Sequence, residues 1–451
     1  MTILVGERVM SPVRPHSLTE ANPDKPHNTL PMSLSATWRS VRQGFLPVFW
    51  VANILELFER LAFYGSKAVL AVYIADKVGL SDEAGTLTGV FSGLIYLLPV
   101  LAGVVVDRYG FRKALIACFG IFAIGYFLIG LAGIAWGQEI ADAIGRKTYM
   151  IIVLVLTAVG GSLIKPCIVG TVAVTSREDT RPLGFSIYYT LVNIGGAIGP
   201  ILALQIRKNM GIEYVLMMSA LTSLLLMVGT IFFFREPEKN QEAAGRTFGK
   251  VFSEMLLVFG NFRFILFLLI FSGFWTMFWQ IFYSFPFYVK DVLHFDDFEL
   301  LETVDAIAII FLTVPMAALV KKWKPFTAMT VGFLISGLSW IIIAVTGTIM
   351  GAIVGVAVYA VGEAMQSPRY YDYVSSLAPR DQVGTYMGFA FLPVAVGSFT
   401  AGPIADWLRK TYMATDPSQM WIIVSGIGIG SAALMVLYNF LLVKGSAGEG
   451  R

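Results

Sequence analysis

The sequence predicts an all-α membrane protein, with twelve transmembrane helices arranged as two six-helix bundles. Three observations carry that expectation. The 451 residues are 56% hydrophobic and only 14% charged, with a mean hydropathy of +0.72, outside the range of ordinary soluble domains. The apolar residues fall into runs of about 20, the length that crosses a hydrocarbon core of roughly 30 Å. The longest internal polar connection, about Arg235 to Asn261, divides these runs six and six.

Taken in order, residues 1–44 are polar and contain Pro12, Pro15, Pro23, Pro26 and Pro31, without the apolar h-region of a cleavable signal. A disordered cytoplasmic tail is expected there. Spans follow at about 45–75, 84–106, 112–134, 149–175, 184–206, 212–234, 263–289, 299–320, 326–347, 349–377, 384–408 and 418–443. Residues 45–234 would form the N-terminal bundle, 235–262 a cytoplasmic linker, 263–443 the C-terminal bundle and 444–451 a second cytoplasmic tail. Within the linker, Val251 to Phe259 reads as a short interfacial helix. Lys and Arg crowd the even-to-odd connections, as in Arg108, Arg112 and Lys113, or Lys321, Lys322 and Lys324, which places both termini in the cytoplasm. A faint repeat supports the division: Lys165-Pro166 corresponds to Ser367-Pro368 and Gly199-Pro200 to Gly402-Pro403, at offsets of about 202 and 203 residues. Parallel repeats of this kind imply a solute site between the halves near the midplane.

The net charge of +3 is too small, and the basic residues too scattered, for a nucleic-acid surface. Cys118 and Cys167 fall inside spans without metal-ligand company, so neither a metal nor another cofactor is expected. His16 and His27 lie in the tail and His294 in a charged loop. A proton carried through the membrane must therefore ride on carboxylates. No nucleophile stands near a base and no phosphate loop is present, which argues against an enzyme.

The most informative stretch is Glu56 to Gly65. An ionised side chain near a bilayer centre costs roughly 2.5–3.5 kcal/mol on insertion scales, yet three charges occur here within five residues. At 3.6 residues per turn Glu56, Glu59, Arg60 and Phe63 share one face, with Tyr64 beside it. Such a face either holds helices together through an internal ion pair or lines a solute path. Charges in other spans favour the path.

Gly103, Asp107, Arg108, Gly110, Arg112 and Lys113, spaced G-x3-D-R-x-G-x-R-K, resemble the loop signature of the major facilitator superfamily, which implies the major facilitator fold. Asp107, Arg108 and Arg112 would form its gating latch. Within that superfamily, Glu56-x-x-Glu59-Arg60 followed by Phe63-Tyr64-Gly65 resembles the E-x-x-E-R-F-x-Y-Y-G motif of the proton-dependent oligopeptide transporters, and Lys67 falls where that family usually carries a basic residue. Tyr96 with Pro99, Gly161 to Pro166, Phe185 to Gly195, and Gly362-Glu363 with Ser367-Pro368, Val374-Ser375 and Leu377 to Pro379 resemble further family elements.

The resemblance implies proton-coupled import of di- or tripeptides, or a related zwitterion, by alternating access in a cell inner membrane. Arg60 and Lys165 would hold the substrate carboxylate, Glu363 its amino group, and Tyr64, Tyr96 and Asn193 would add hydrogen bonds. Glu56 and Glu59 would couple protons. The implied partners are a small-molecule substrate, protons and the lipid bilayer, with a monomer as the working unit.

The departures concern the pocket. Phe63 lacks a hydroxyl, Trp279 stands where an acid is usual in span seven, Ala390 replaces a tryptophan and Cys167 an asparagine. Asp305 in span eight either replaces the missing acid as a proton carrier or caps the outer end of its helix. Arg369 and Asp372 are expected to pair, with substrate contact as the other reading. Trp275, Trp279, Phe282, Tyr283, Phe285 and Phe287 either wall a pocket or pack. A different cargo (a drug, sugar or organic anion) is the alternative within the same fold, and a non-transporting receptor is the alternative of another class.

Overall fold

In a computed structural model, the structure describes residues 44–237, 248–378 and 383–444. Residues 1–43 of the tail expected over 1–44, residues 238–247 of the linker, Pro379 at the end of the span-ten pattern and everything from residue 445 lie outside them. The residues from Gly44 onward make one compact unit. Among the described residues the chain is helical throughout, apart from an isolated bridge between Phe45 and Ser176.

The principal helices are α1 (Pro47–Val72), α2 (Ala84–Leu97), α3 (Pro99–Tyr109), α4 (Phe111–Leu131), α5 (Ala135–Ile144), α6 (Arg146–Gly161), α7 (Ile164–Thr175), α8 (Arg181–Asn209), α9 (Ile212–Phe233), α10 (Phe248–Phe259), α11 (Phe262–Phe278), α12 (Phe298–Val320), α13 (Pro325–Thr346), α14 (Ile349–Leu377), α15 (Val383–Phe389), α16 (Leu392–Tyr412) and α17 (Pro417–Tyr438). Short turns over Gln280–Tyr283 and Phe285–Phe287 carry α11 on to a π-helical turn at Tyr288–Val292. Local chemistry sets several starts. Pro47, Pro325 and Pro417 occupy first turns, where a missing N–H costs nothing. Asn261, Thr348 and Asp416 accept from backbone N–H groups of the turns they precede. The short helix expected over Val251 to Phe259 is present as α10.

Among the described residues ten helices, counting α6 with α7, α11 with its continuation and the end of α15 with α16 as single spans, are long and apolar enough to cross a membrane. The bent pair α2 and α3, with 47° between them at Leu98, makes an eleventh. The bend has a cause in sequence, because Pro99 offers no N–H and disfavours helical geometry at the residue before it. Helix α1 is outside that set, since Glu56, Glu59, Arg60 and Lys67 interrupt its apolar character. Outward faces are strongly apolar: Phe311 and Val314 on α12 are 73% and 76% exposed, a surface suited to hydrocarbon and not to water.

Packing pairs α1 with α8 and α9, α4 with α6 and α9, and, in the second half of the chain, α13 with α14 and α17 and α11 with α16 and α17. The two halves meet through α2 against α16 and α8 against α12. Their polar contacts gather at one end. Arg207 bonds Glu299 at 2.5 Å and Lys208 bonds Asp297 at 2.6 Å. Lys290 pairs with Asp76. Asp406 accepts from the Gly85 and Thr86 backbone N–H groups at 2.7 and 2.8 Å and from the Thr86 hydroxyl at 2.7 Å, so a residue of α16 caps the start of α2. Tyr283 and Ser398 bond at 2.7 Å, and Ser398 donates onward to the Gly89 carbonyl.

At the other end lies the Asp107 to Lys113 turn. Gly110 adopts φ +88°, a region that side chains rarely enter, which explains a glycine between α3 and α4. Glu236 caps α4 by accepting from the Phe111 and Arg112 N–H groups at 2.8 and 2.7 Å, while the Arg112 guanidinium donates to the Ile231 carbonyl near the end of α9. The turn is thus bolted to α9. Arg108 lies over the Tyr109 ring at 5.4 Å.

Candidate functional site

The charge stripe of α1 is buried. Glu56, Glu59 and Arg60 are 1%, 2% and 4% exposed, so the charges face protein and not lipid. The Arg60 guanidinium bonds Glu59 and stands 3.3 Å from Glu56. It lies 4.8 Å from the centre of the Phe63 ring, a cation–π contact that compensates part of its lost hydration. One arginine serves two carboxylates, and both oxygens of Glu56 and one of Glu59 lack hydrogen-bond partners. A buried ionised carboxylate without partners is costly. The arrangement therefore has spare capacity for a proton or a second cation.

Packing holds this stripe against α8. A Cβ on Gly195 would collide with the Arg60 backbone and Cβ, so only glycine lets α8 approach here. One turn on, Gly199 and Gly65 face each other backbone to backbone. Gly65, Gly195 and Gly199 thus set how near Arg60 stands to α8.

Lys165 opens α7 just past the break at Ser162 and Leu163. Its ammonium lies 4.3 Å from the centre of the Tyr96 ring and 4.8 Å from that of Phe391, so it spans from α2 to the second half of the chain. Tyr96 in turn packs edge-on against Trp279 at 5.8 Å. Tyr64 packs against Phe63. Asn193 donates to the Tyr189 carbonyl on its own helix at 2.8 Å, so its side-chain amide serves α8 in this arrangement. In the second half, Glu363 on α14 and Asp305 on α12 each keep one buried carboxyl oxygen without a hydrogen-bond partner. Lys67 lies on α1 two turns beyond Arg60, its ammonium 3.6 Å from the centre of the Phe282 ring.

The sequence-expected residues thus separate into groups. Arg60, Glu56 and Glu59 come together, and Lys165, Tyr96 and Trp279 come together around the α2 side. Asp107, Arg108 and Arg112 lie apart, at the latch end. Arg369 and Asp372 pair at 3.0 Å as expected. Arg369 also donates to the carbonyls of Val320, Lys321 and Trp323, closing the C-terminal end of α12, so its donors are committed to structure. The α11 aromatics are packed: Trp279, Tyr283 and Phe285 are almost fully buried, and Trp279 donates to the Val394 carbonyl at 3.0 Å. Trp275 of α11, like Trp340 of α13 and Trp421 of α17, keeps a buried indole N–H without a partner among the described residues. Among the described residues no group of three or more His, Cys, Asp and Glu is placed to hold a metal.

Two functional candidates escaped sequence reading. Glu302 is 3% exposed with neither carboxyl oxygen hydrogen-bonded, and Asp406 is the cap across the closed end. The spacing of Glu299, Glu302 and Asp305, each three residues from the next, was the available signal for the first. Nothing local marked the second.

A family model of the Major Facilitator Superfamily matches residues 53–402. The dipeptide and tripeptide permease B of Aliivibrio fischeri (strain MJ11) is 31% identical over 170 residues, 37% of this chain and 32% of that protein. The chain thus matches about a third of the length of such permeases. The uncharacterized MFS-type transporter YqjV of Bacillus subtilis (strain 168) is 23% identical over 86% of this chain and 92% of that one. Among solved structures, a POT family transporter in complex with a thioalcohol conjugated peptide superposes with a TM-score of 0.72 at 17% identity, covering 87% of this chain and 96% of that one. A POT family transporter in complex with 5-aminolevulinic acid does so with the same TM-score over 86% and 95%.

Proposed function

The chain belongs to the Major Facilitator Superfamily, a transporter and not an enzyme family, with its likeness in the proton-dependent oligopeptide transporter branch, and we propose that it imports di- or tripeptides, or a related zwitterion, with protons. The observation that carries the reading is the distribution of buried charge. Arg60 and Lys165 supply cations from the first half of the chain, and Glu363 supplies an incompletely bonded carboxylate from the second. A ligand carrying opposite charges at its two ends fits that division and would draw the halves together.

In this reading twelve spans form two six-helix bundles over 45–234 and 263–443, joined by the 235–262 linker, and α1 is the first span despite its charges. Both termini are cytoplasmic, the membrane is the cell inner membrane, and the protein works as a monomer. Arg60 and Lys165 hold the substrate carboxylate, Glu363 its ammonium, and Tyr64, Tyr96 and, once freed from Tyr189, Asn193 orient the peptide. Glu56 and Glu59 exchange Arg60 for a proton, with Asp305 as an acid of the second half. Asp107, Arg108 and Arg112 gate the latch end. A membrane potential of 100 mV supplies about 2.3 kcal/mol per proton, enough to concentrate a neutral solute roughly fifty-fold.

A second reading, another small organic solute as cargo, is favoured by Trp279 and Ala390, which alter the pocket's chemistry. Thermal stabilisation of purified protein by a free dipeptide, compared with its N-acetylated and C-amidated forms, separates the two. Peptide import requires stabilisation by the free dipeptide and loss of it when either terminus is blocked. Equal response to all three would reject the zwitterion reading.

A further inference from the structure

A cavity of about 1040 Å³ lies at the latch end of the first half of the chain, and none of the residues assigned above to substrate, protons or gating lines it. Its walls include Val48 and Val51 at the start of α1, Val174 at the end of α7, Arg181 opening α8, and Phe233 and Arg235 where α9 ends. The volume reaches the top of the range of roughly 300–1,000 Å³ typical of small-molecule pockets.

The walls are fixed by contacts within the chain. The Leu46 N–H donates to the Thr175 carbonyl at 3.0 Å, and the Arg177 N–H and Thr180 hydroxyl donate to the Gly44 carbonyl at 3.0 and 2.9 Å. The start of α1 is thus pinned to the turn between α7 and α8. The end of α9 is held by Glu236, which caps α4, and by the Arg112 guanidinium on the Ile231 carbonyl.

Charge in the cavity is unbalanced. Arg181 and Arg235 are exposed, and among the described residues neither forms an ion pair. Glu236, the one acid lining the cavity, has both carboxylate oxygens engaged by the α4 N–H groups. Two guanidinium groups therefore stand over an apolar floor, an arrangement that fits an anion joined to hydrocarbon.

An apolar stripe leaves the cavity along α1. Leu46, Trp50, Ile54 and Phe58 follow one another at intervals of four residues and are 38% to 54% exposed. At 1.5 Å per residue the stripe is about 18 Å long, against roughly 15 Å for half of a 30 Å hydrocarbon core. Helix α9 packs beside α1 and adds the exposed Leu225 and Phe233.

We propose that the cavity is a binding site for an anionic phospholipid of the cytoplasmic leaflet, its phosphate held by Arg181 and Arg235 and an acyl chain laid along the α1 stripe. Guanidinium groups pair with phosphate oxygens bidentately, and the cytoplasmic leaflet carries the anionic lipids. A zwitterionic lipid would bring an ammonium up to the same arginines and is disfavoured. When occupied, the site ties the starts of α1 and α8 to the end of α9, and so steadies Glu236 on the latch turn. The orientation of this end toward the cytoplasm is that of the reading above; the binding itself involves neither cargo nor a proton gradient.

The test is native mass spectrometry of the full chain in detergent, titrated with phosphatidylglycerol, with phosphatidylcholine of the same acyl chains, or with inorganic phosphate, and thermal unfolding of the same samples. Phosphatidylglycerol should bind at least tenfold more tightly than phosphatidylcholine and raise the unfolding temperature. Arg181→Gln combined with Arg235→Gln should lower that affinity about thirtyfold, roughly fivefold per arginine, and leave unfolding in lipid-free detergent unchanged. Val51→Trp fills the cavity with both arginines in place and should weaken binding too, whereas Lys322→Gln, an exposed basic residue of the other half, should not.

A preference for phosphatidylglycerol that survives the double substitution, or phosphatidylcholine bound as tightly by the native protein, would overturn the proposal. Stabilisation by inorganic phosphate equal to that by phosphatidylglycerol would make this a site for a free anion and reject the lipid. No transport is measured, so an absence of dipeptide uptake would strike the cargo reading alone.

Discussion

Replacing Asp406 by alanine removes three hydrogen bonds at once, those from Gly85 N, Thr86 N and the Thr86 hydroxyl. The carboxylate is 6% exposed and all three bonds span the two halves of the chain. A buried bond to a charged acceptor contributes about 1.5–3 kcal/mol when taken singly. The three share one carboxylate whose desolvation offsets part of the gain, so a net of ~2 kcal/mol is the reasonable figure, a factor of about 30 in the closed-to-open ratio at this end. A second contact at the same end gives the contrast. Lys410 and Asp82 lie 3.4 Å apart with side chains 50% and 69% exposed, so their pair contributes less than ~0.5 kcal/mol. Spin labels on Ser81→Cys and Ala414→Cys should show a large open population in Asp406→Ala and almost none in Lys410→Ala, with Thr86→Val between them. Equal effects of Asp406→Ala and Lys410→Ala would refute the claim that burial decides which contact holds the end shut.

Three further outcomes follow from the same geometry. Gly195→Val drives a side chain into the Arg60 backbone, so thermal unfolding in detergent should reveal a loss of about 1–3 kcal/mol, together with impaired uptake although residue 195 itself bears no charge. Arg369→Ala uncaps the end of α12 and should lower stability by about 1–2 kcal/mol while leaving dipeptide affinity within about twofold; a tenfold loss of affinity would return Arg369 to the binding site. Glu363→Gln should weaken a free dipeptide by about tenfold or more yet leave an N-acetylated peptide unchanged, measured by competition binding, and an equal loss for both would remove Glu363 as the ammonium partner.

What the sequence made legible was local. The Glu56, Glu59, Arg60 stripe could be placed inside the protein because three charges within five residues of an apolar run have nowhere else to go, and burial of all three followed. The short α10 helix and the Arg369–Asp372 pair were readable for the same reason, since their partners lie within one or two turns. The bend at Leu98–Pro99 needed only the chemistry of proline. What escaped were features whose partner is remote. Asp406 acts on residues 321 and 320 positions away, and Arg369 acts on carbonyls 46 to 49 positions away, so no periodicity announces either. Glu302 was hidden differently. Glu299 and Glu302 are both buried at the start of α12, and only the structure shows that Arg207 neutralises the first while the second keeps both carboxyl oxygens without a hydrogen bond.

The most direct test of peptide import is uptake of a labelled dipeptide into proteoliposomes under an inward proton gradient, with Arg60→Ala and protein-free vesicles run in parallel. Peptide import coupled to protons requires accumulation above equilibrium that collapses with an uncoupler and is absent from Arg60→Ala. Folded protein that stabilises no gradient of dipeptide, or accumulation that survives both the uncoupler and Arg60→Ala, would contradict it.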